Sequence, residues 1–187
     1  MRRINTEIDG VVLIEPVVHG DHRGFFMETY RRDRFADLGI ACDFVQDNHS
    51  RSSRGVLRGL HYQLGRPQAK LVRATRGRVF DVVVDVRRGS PTFSRWVGAE
   101  LSESNRRMLF APAGFAHGFL VLSEIAEFQY KCSDVYAPDE ERGLRWDDRD
   151  LAIDWPLGDD EPVLSERDLL WPSLQGAADN DFPEFGQ

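Results

Sequence analysis

Residues 58–63 read RGLHYQ and set Arg58, His61 and Gln63 into a run that otherwise alternates like a β-strand. An imidazole there can serve as a metal ligand, a proton-transfer base or a hydrogen-bonded core residue. Lys70 in QAKLVRATRG and His117 in APAGFAHGF add an ammonium and a second imidazole. In a water-poor site such an ammonium can stabilise a developing negative charge, such as an enolate oxygen, far better than in bulk solvent. Taken alone, Lys70 is equally an edge-strand surface lysine.

The elements that would carry these groups are strands. VVLIEP, GFFMETY, FVQDN, VLRGLHYQ, KLVRATRG, RVFDVVVDV, RWVGAEL, RMLFAP, HGFLVL and AEFQYKC are apolar or β-branched runs of strand length with turn residues between them. No ten-residue helical pattern separates them, so an all-β sandwich or barrel is expected rather than a parallel α/β sheet. Helices are expected only at the periphery, at RRDRFADLG, closed by Gly39, and at LSERDLL, opened by Ser165. Alternation puts Lys70 on one face with Val72 and Ala74, and Tyr130 on one face with Phe128 and Cys132. It also puts Arg58 and His61 on opposite faces, so both reach one cavity only if the strand is bulged, for which Gly59 is the natural position.

Pro112, Gly114 and His117 resemble the second motif of the cupin barrel, in which a Pro-Gly hairpin turn is followed by an inward histidine. Gly55, His61 and Gly77 resemble the first. The departures are chemical: a metal-binding cupin carries a second histidine where this chain has Gln63, and a glutamate where it has Lys70. Replacing a carboxylate with an ammonium deletes a ligand and adds repulsion toward a cation. The expectation is an all-β cupin, or jelly-roll β-barrel, with no metal.

DHRGFFMETY, FVQDNHSRS, GVLRGLHYQ, QAKLVRATRGRVFDVVVDVR, APAGFAHGFLVLS, YKCSDVYAPDEERGLRWDD and LSERD resemble, in this order, the dTDP-4-dehydrorhamnose 3,5-epimerase family, from Ile8 to Leu174. The resemblance implies a cofactor-independent isomerase that inverts carbons beside the ketone of a dTDP-linked 4-keto-6-deoxyhexose, and a homodimer. Such a reaction removes a proton on one face, holds the enolate and returns a proton on the other. The resemblance gives His61 the role of base, Asp168 that of its orienting partner, Lys70 that of enolate stabiliser and Tyr130 that of opposite-face acid. Ser165 and Asp168 also fit a capping box, and Tyr130 also fits simple packing. For the nucleotide end the resemblance implies Arg23, Phe26, Glu28, Gln46, Asn48, Arg58, His117, Tyr136, Glu141 and Arg167, residue types suited to diphosphate and thymine. Sequence leaves open whether C3, C5 or both are epimerised, and whether His117 shares the enolate charge.

Length and composition bound these readings. A chain of 187 residues with 41% hydrophobic content fits one domain, expected over 1–175, with GAADNDFPEFGQ, 176–187, as a loose acidic tail. A net charge of -7 argues against nucleic acid as a partner. No apolar run is long enough to span a bilayer, so no membrane partner and a cytoplasmic location are expected. Cys42 and Cys132, far apart in sequence, are expected as free thiols. Two rivals remain: a metal-dependent cupin enzyme, which needs more ligands than His61 and His117, and a non-catalytic sugar-nucleotide binder.

Overall fold

The computed structural model describes residues 1–186. In chain order the elements are β1 Arg2–Asn5, β2 Val12–Glu15, β3 Val18–Asp21, β4 Gly24–Met27, α1 Arg32–Asp37, β5 Gln46–Ser53, β6 Leu57–Gln63 and β7 Lys70–Arg76. There follow β8 Arg78–Asp85, β9 Trp96–Ser102, β10 Met108–Ala111, β11 Phe115–Val121, β12 Ile125–Cys132 and β13 Glu141–Gly143. A six-stranded sheet, β1-β2-β10-β7-β12-β5, faces a five-stranded sheet, β13-β6-β11-β8-β9, and β3 and β4 form a separate hairpin. Neighbouring strands pair antiparallel throughout, giving the all-β barrel that the strand pattern predicts and the cupin-like architecture that the two motifs imply.

Each face of the barrel wall has its own apolar layer. Val72, Val79, Val83, Phe119 and Phe128 pack between the sheets, while Leu60, Tyr62, Val82 and Val84 point outward under a cover made by Leu144, Leu151, Trp155 and Phe182. Strand β8 is therefore buried on both sides, which is why its sequence is nearly continuous valine rather than alternating. On the outside of the other sheet, α1 lays Phe35 over Val12, Ile14 and Leu71.

Chain corners coincide with the motif glycines. Gly77 carries the chain from β7 in one sheet to β8 in the other with φ +69°, and a Cβ there would lie 2.1 Å from the Ile125 carbonyl oxygen, so only glycine fits. The Pro112–Gly114 turn is also such a corner. It does not close a hairpin as the cupin motif implies, because β10 pairs with β2 and β7 while β11 pairs with β6 and β8.

Helix α1 forms inside the predicted RRDRFADLG, with Gly39 just beyond its end at φ +83°. LSERDLL is not a helix but a run of turns, from which Asp168 is buried against His61 while Leu169 and Leu170 stay exposed. Strands β1, β3 and β13 escape the sequence reading, being short and mostly exposed or partly buried, with little apolar alternation. The expected loose tail is docked: Phe182 is 4% exposed, and the Arg88 N–H donates to the Pro183 carbonyl at 2.8 Å. One buried aromatic and backbone pairing anchor a segment whose composition reads as disordered. Gln187, the last residue of that expected tail, lies outside the described residues.

Candidate active site

The two sheets enclose a cavity of about 460 Å³ that opens beside β6, β7, β11 and β12. His61, Lys70, Tyr130 and Asp168 all line it, as do Gln46, Asn48, Arg58, His117, Tyr136, Glu141 and Arg167. Six strands, the loop carrying Tyr136 and the 165–170 turn therefore bring together eleven of the fourteen residues that the sequence singles out.

The bulge expected at Gly59 is what allows Arg58 and His61 to share the cavity. Phe119 pairs with Arg58 and His117 with His61, so two residues of β6, Gly59 and Leu60, stand opposite Gly118 alone. Gly59 has φ +133°, and a Cβ on it would lie 2.5 Å from the Gly118 Cα. Arg58 then donates from Nε and Nη2 to the Ser52 hydroxyl at 3.2 and 3.0 Å.

His61 Nε2 lies 2.5 Å from Asp168 Oδ1. With Asp168 ionised, the shared proton belongs to Nε2, and the lone pair is left on Nδ1. Asp168 Oδ2 accepts from the Ser165 hydroxyl at 2.7 Å, while the Asp168 N–H donates to Ser165 Oγ at 3.2 Å. The carboxylate sits in the geometry of a His–Asp pair, whereas the capping box is only half formed, because the second oxygen goes to the serine hydroxyl rather than to the Ser165 backbone N–H and no helix follows. Burial by itself would raise the Asp168 pKa, but the hydrogen bonds and charge of His61 and the Ser165 bond outweigh it and hold the carboxyl below its ordinary range. Gly143, opposite His61 on β13, leaves room for Trp171, whose ring meets the imidazole edge-on at 5.9 Å.

Lys70 points inward from the first position of β7 and its Nζ donates to the His61 carbonyl oxygen at 3.3 Å. Burial pushes its pKa down, partly offset by Cys132, Glu141 and Asp81. Tyr130 follows Phe128 on the inward face of β12, and burial raises its phenol pKa. Gln63 occupies the place of the cupin's second histidine. Its amide ties loops together, donating to the carbonyls of Arg66 and Val135 and accepting from the Ala137 N–H.

A second imidazole–carboxylate pair lies deeper. His117 Nε2 is 3.0 Å from both carboxylate oxygens of Asp81, and its ring stacks on Phe128. Burial raises the Asp81 pKa against the pull of His117 and Lys70. Asp81 is absent from the predicted site, although one signal was available: it shares the Val79 and Val83 face of an otherwise apolar strand. Among the described residues no three His, Cys, Asp or Glu side chains converge as a metal-ligand set.

At the mouth, Arg167 donates to Glu141 at 2.5 Å and to the Tyr136 hydroxyl at 3.2 Å, and Tyr136 in turn donates to Glu141 at 3.1 Å. Gln46 accepts from the Tyr136 N–H. Arg23, Phe26 and Glu28 are not brought to this cavity. They sit on or just after the β3–β4 hairpin, with Arg23 paired to Asp21, Glu28 to Arg31, and Phe26 71% exposed.

Comparison with known proteins agrees with this geometry. The sequence profile of the dTDP-4-dehydrorhamnose 3,5-epimerase family matches residues 5–176. The chain is 59% identical to the dTDP-4-dehydrorhamnose 3,5-epimerase of Pseudomonas aeruginosa over 90% of its own length and 93% of that protein. It superposes at a TM-score of 0.96 and 50% identity on the dTDP-6-deoxy-D-glucose-3,5-epimerase of Legionella pneumophila, solved with dTDP-4-keto-L-rhamnose, covering all of this chain and 99% of that one. A 3'-monoepimerase of Streptomyces bikiniensis, solved with dTDP-quinovose, is similar at a TM-score of 0.90 and 40% identity, covering 96% of this chain and 92% of that one. With its fold, its cavity and its sequence in agreement, this chain belongs to the dTDP-4-dehydrorhamnose 3,5-epimerase family.

Proposed function

We propose that the protein is a cofactor-independent isomerase that epimerises a dTDP-linked 4-keto-6-deoxyhexose at both C3 and C5. The observation that carries this reading is the convergence, in one cavity, of the His61–Asp168 pair, the buried Lys70 ammonium and the Tyr130 phenol.

The chemistry runs in balanced proton transfers. The free Nδ1 of His61 removes the proton from the carbon beside the ketone, and the electron pair of that C–H bond moves into the enolate. Asp168 stabilises the imidazolium that results. The enolate oxygen faces Lys70, whose interaction grows as the charge forms. Tyr130 then gives its proton to the opposite face of the carbon, and solvent reprotonates the phenolate as it takes the proton from His61. The same sequence at the second carbon completes the double inversion.

The nucleotide binds at the Gln46, Tyr136, Glu141 and Arg167 end of the cavity. Arg23, Phe26 and Glu28 complete that end in a homodimer, where the hairpin of one copy reaches the cavity of its partner. The exposed Phe25 and Phe26 and the separation of the hairpin from both sheets support this. None of the helices among the described residues is long and apolar enough to cross a membrane.

NMR of dTDP-4-keto-6-deoxyglucose incubated with the protein in deuterated water tests the reading. Deuterium at both C3 and C5 is the expected result, exchange at neither carbon sinks it, and light scattering reports the dimer. The likeness to the 3'-monoepimerase favours a second reading, inversion at C3 alone, for which only C3 would exchange.

A further inference from the structure

The C-terminal segment beyond the family match carries no part of the chemistry above, yet it grips the back of the cavity wall. We infer that Asp181 is a positioning residue for the nucleotide end of the site, acting through β13. This rests on the reading of Glu141, Arg167 and Tyr136 as nucleotide contacts.

Strand β13 is three residues long, lies at the edge of its sheet and pairs only with β6. So short an edge strand has little stability of its own. Glu141, Gln63 and His61 line the cavity, whereas the Tyr62 ring packs in the outer apolar layer with Leu144 and Phe182, so the central pair, Arg142 with Tyr62, presents its side chains on the outer face.

Asp181 holds both members of that central pair. Its carbonyl oxygen accepts from the Tyr62 hydroxyl at 3.0 Å, and its carboxylate accepts from Arg142 Nε at 2.7 Å. Tyr62 is buried, and the next residue along, Phe182, is buried against Phe93, so an apolar anchor fixes where the carboxylate stands. On the other side of β13, Glu141 accepts from Arg167 and Tyr136. A continuous set of bonds therefore runs from Asp181 through Arg142 to Glu141 and the mouth of the cavity. His61 is fixed independently, because β6 is also paired along β11. Loss of the carboxylate should loosen substrate binding and leave proton transfer intact.

The test uses the full chain with Asp181→Ala, measuring KM and kcat on dTDP-4-keto-6-deoxyglucose, Kd for dTDP by calorimetry, and Tm. We expect KM and the dTDP Kd to rise about five- to tenfold with kcat within about twofold, and most of the loss to be recovered by the reciprocal pair Asp181→Arg with Arg142→Asp. A lower Tm with KM and Kd unchanged would reduce the segment to a stabilising strap and overturn the inference, as would a fall in kcat alone. Asp181→Asn, which keeps the side chain's shape but removes the charge that holds Arg142, serves if Asp181→Ala does not fold, with a two- to threefold rise in KM expected and an unchanged KM counting against the inference. If the wild-type protein binds dTDP but exchanges neither carbon, the epimerase reading fails while the dTDP Kd comparison still decides the role of Asp181.

Discussion

His61 and His117 are cross-strand partners on β6 and β11, and each is held by its own carboxylate, Asp168 for the first and Asp81 for the second. Exposure separates them. The His61 side chain keeps 18% of its surface open to the cavity, whereas His117 keeps 7%. A base must reach a carbon-bound proton, so the more open His61 suits the proposed role of base better than His117 does.

His61→Ala should abolish deuterium exchange at both C3 and C5. Asp168→Asn keeps the shape of the dyad but not its charge, so the imidazolium loses its counterion and the tautomer its anchor. A fall in turnover of about three to four orders of magnitude is expected by analogy with His–Asp pairs in other enzymes. Steady-state kinetics with near-normal turnover in Asp168→Asn would show that the 2.5 Å contact is only structural.

Tyr130→Phe should separate the two halves of the reaction. Proton removal by His61 continues and solvent deuterium still washes into the sugar, but net inversion stops for want of the opposite-face donor. NMR of the product sugar reads both outcomes at once. Complete loss of exchange, equal to that in His61→Ala, contradicts the division of labour.

Lys70→Met should lower kcat by about a hundred- to a thousandfold while changing the Kd for dTDP little, since its interaction is strongest once the enolate forms. The sign of its pH dependence follows from burial. The folded pKa lies below that of an ordinary lysine, so the ammonium is lost, and activity with it, as pH rises through that lowered value. Between the folded and unfolded pKa values the unfolded chain binds the extra proton, so stability from this group rises with pH over the same window. A basic limb in the kcat profile of the wild type that persists unaltered in residual Lys70→Met activity would assign that limb to another group.

Gly59→Ala should destabilise the protein by about 2 kcal/mol or more, because φ +133° disfavours any side chain and the added methyl meets the Gly118 backbone at 2.5 Å. Relief by straightening the bulge would carry Arg58 or His61 out of the cavity, so the surviving folded fraction should bind dTDP weakly or turn over slowly. Urea denaturation with an unchanged midpoint would show that the strand tolerates a different register.

Much of the site was legible because strand periodicity is local. Alternation alone put Tyr130 with Phe128 and Cys132, and Lys70 with Val72 and Ala74. Glycine chemistry at position 59 resolved the conflict between Arg58 and His61, and the ammonium at Lys70 set the expectation of a barrel without a metal. Each of these depends on residues within a few positions of one another, and on backbone geometry that a short window of sequence encodes.

Tertiary structure decided what depends on closing the barrel. Asp168 reaches His61 across 107 residues and Asp81 reaches His117 across 36, distances over which no periodicity carries information. The turn at 165–170 takes its shape from that long-range bond rather than from its own helix signal. The acidic C-terminal segment docks because Phe182 finds an apolar surface assembled from β6, β8 and β11, which no single stretch of chain displays. The hairpin bearing Arg23, Phe26 and Glu28 stays outside its own cavity because its two strands pair with each other and with neither sheet. Residue identities fixed the available chemistry, and the sum of many weak contacts across the two sheets determined which groups meet.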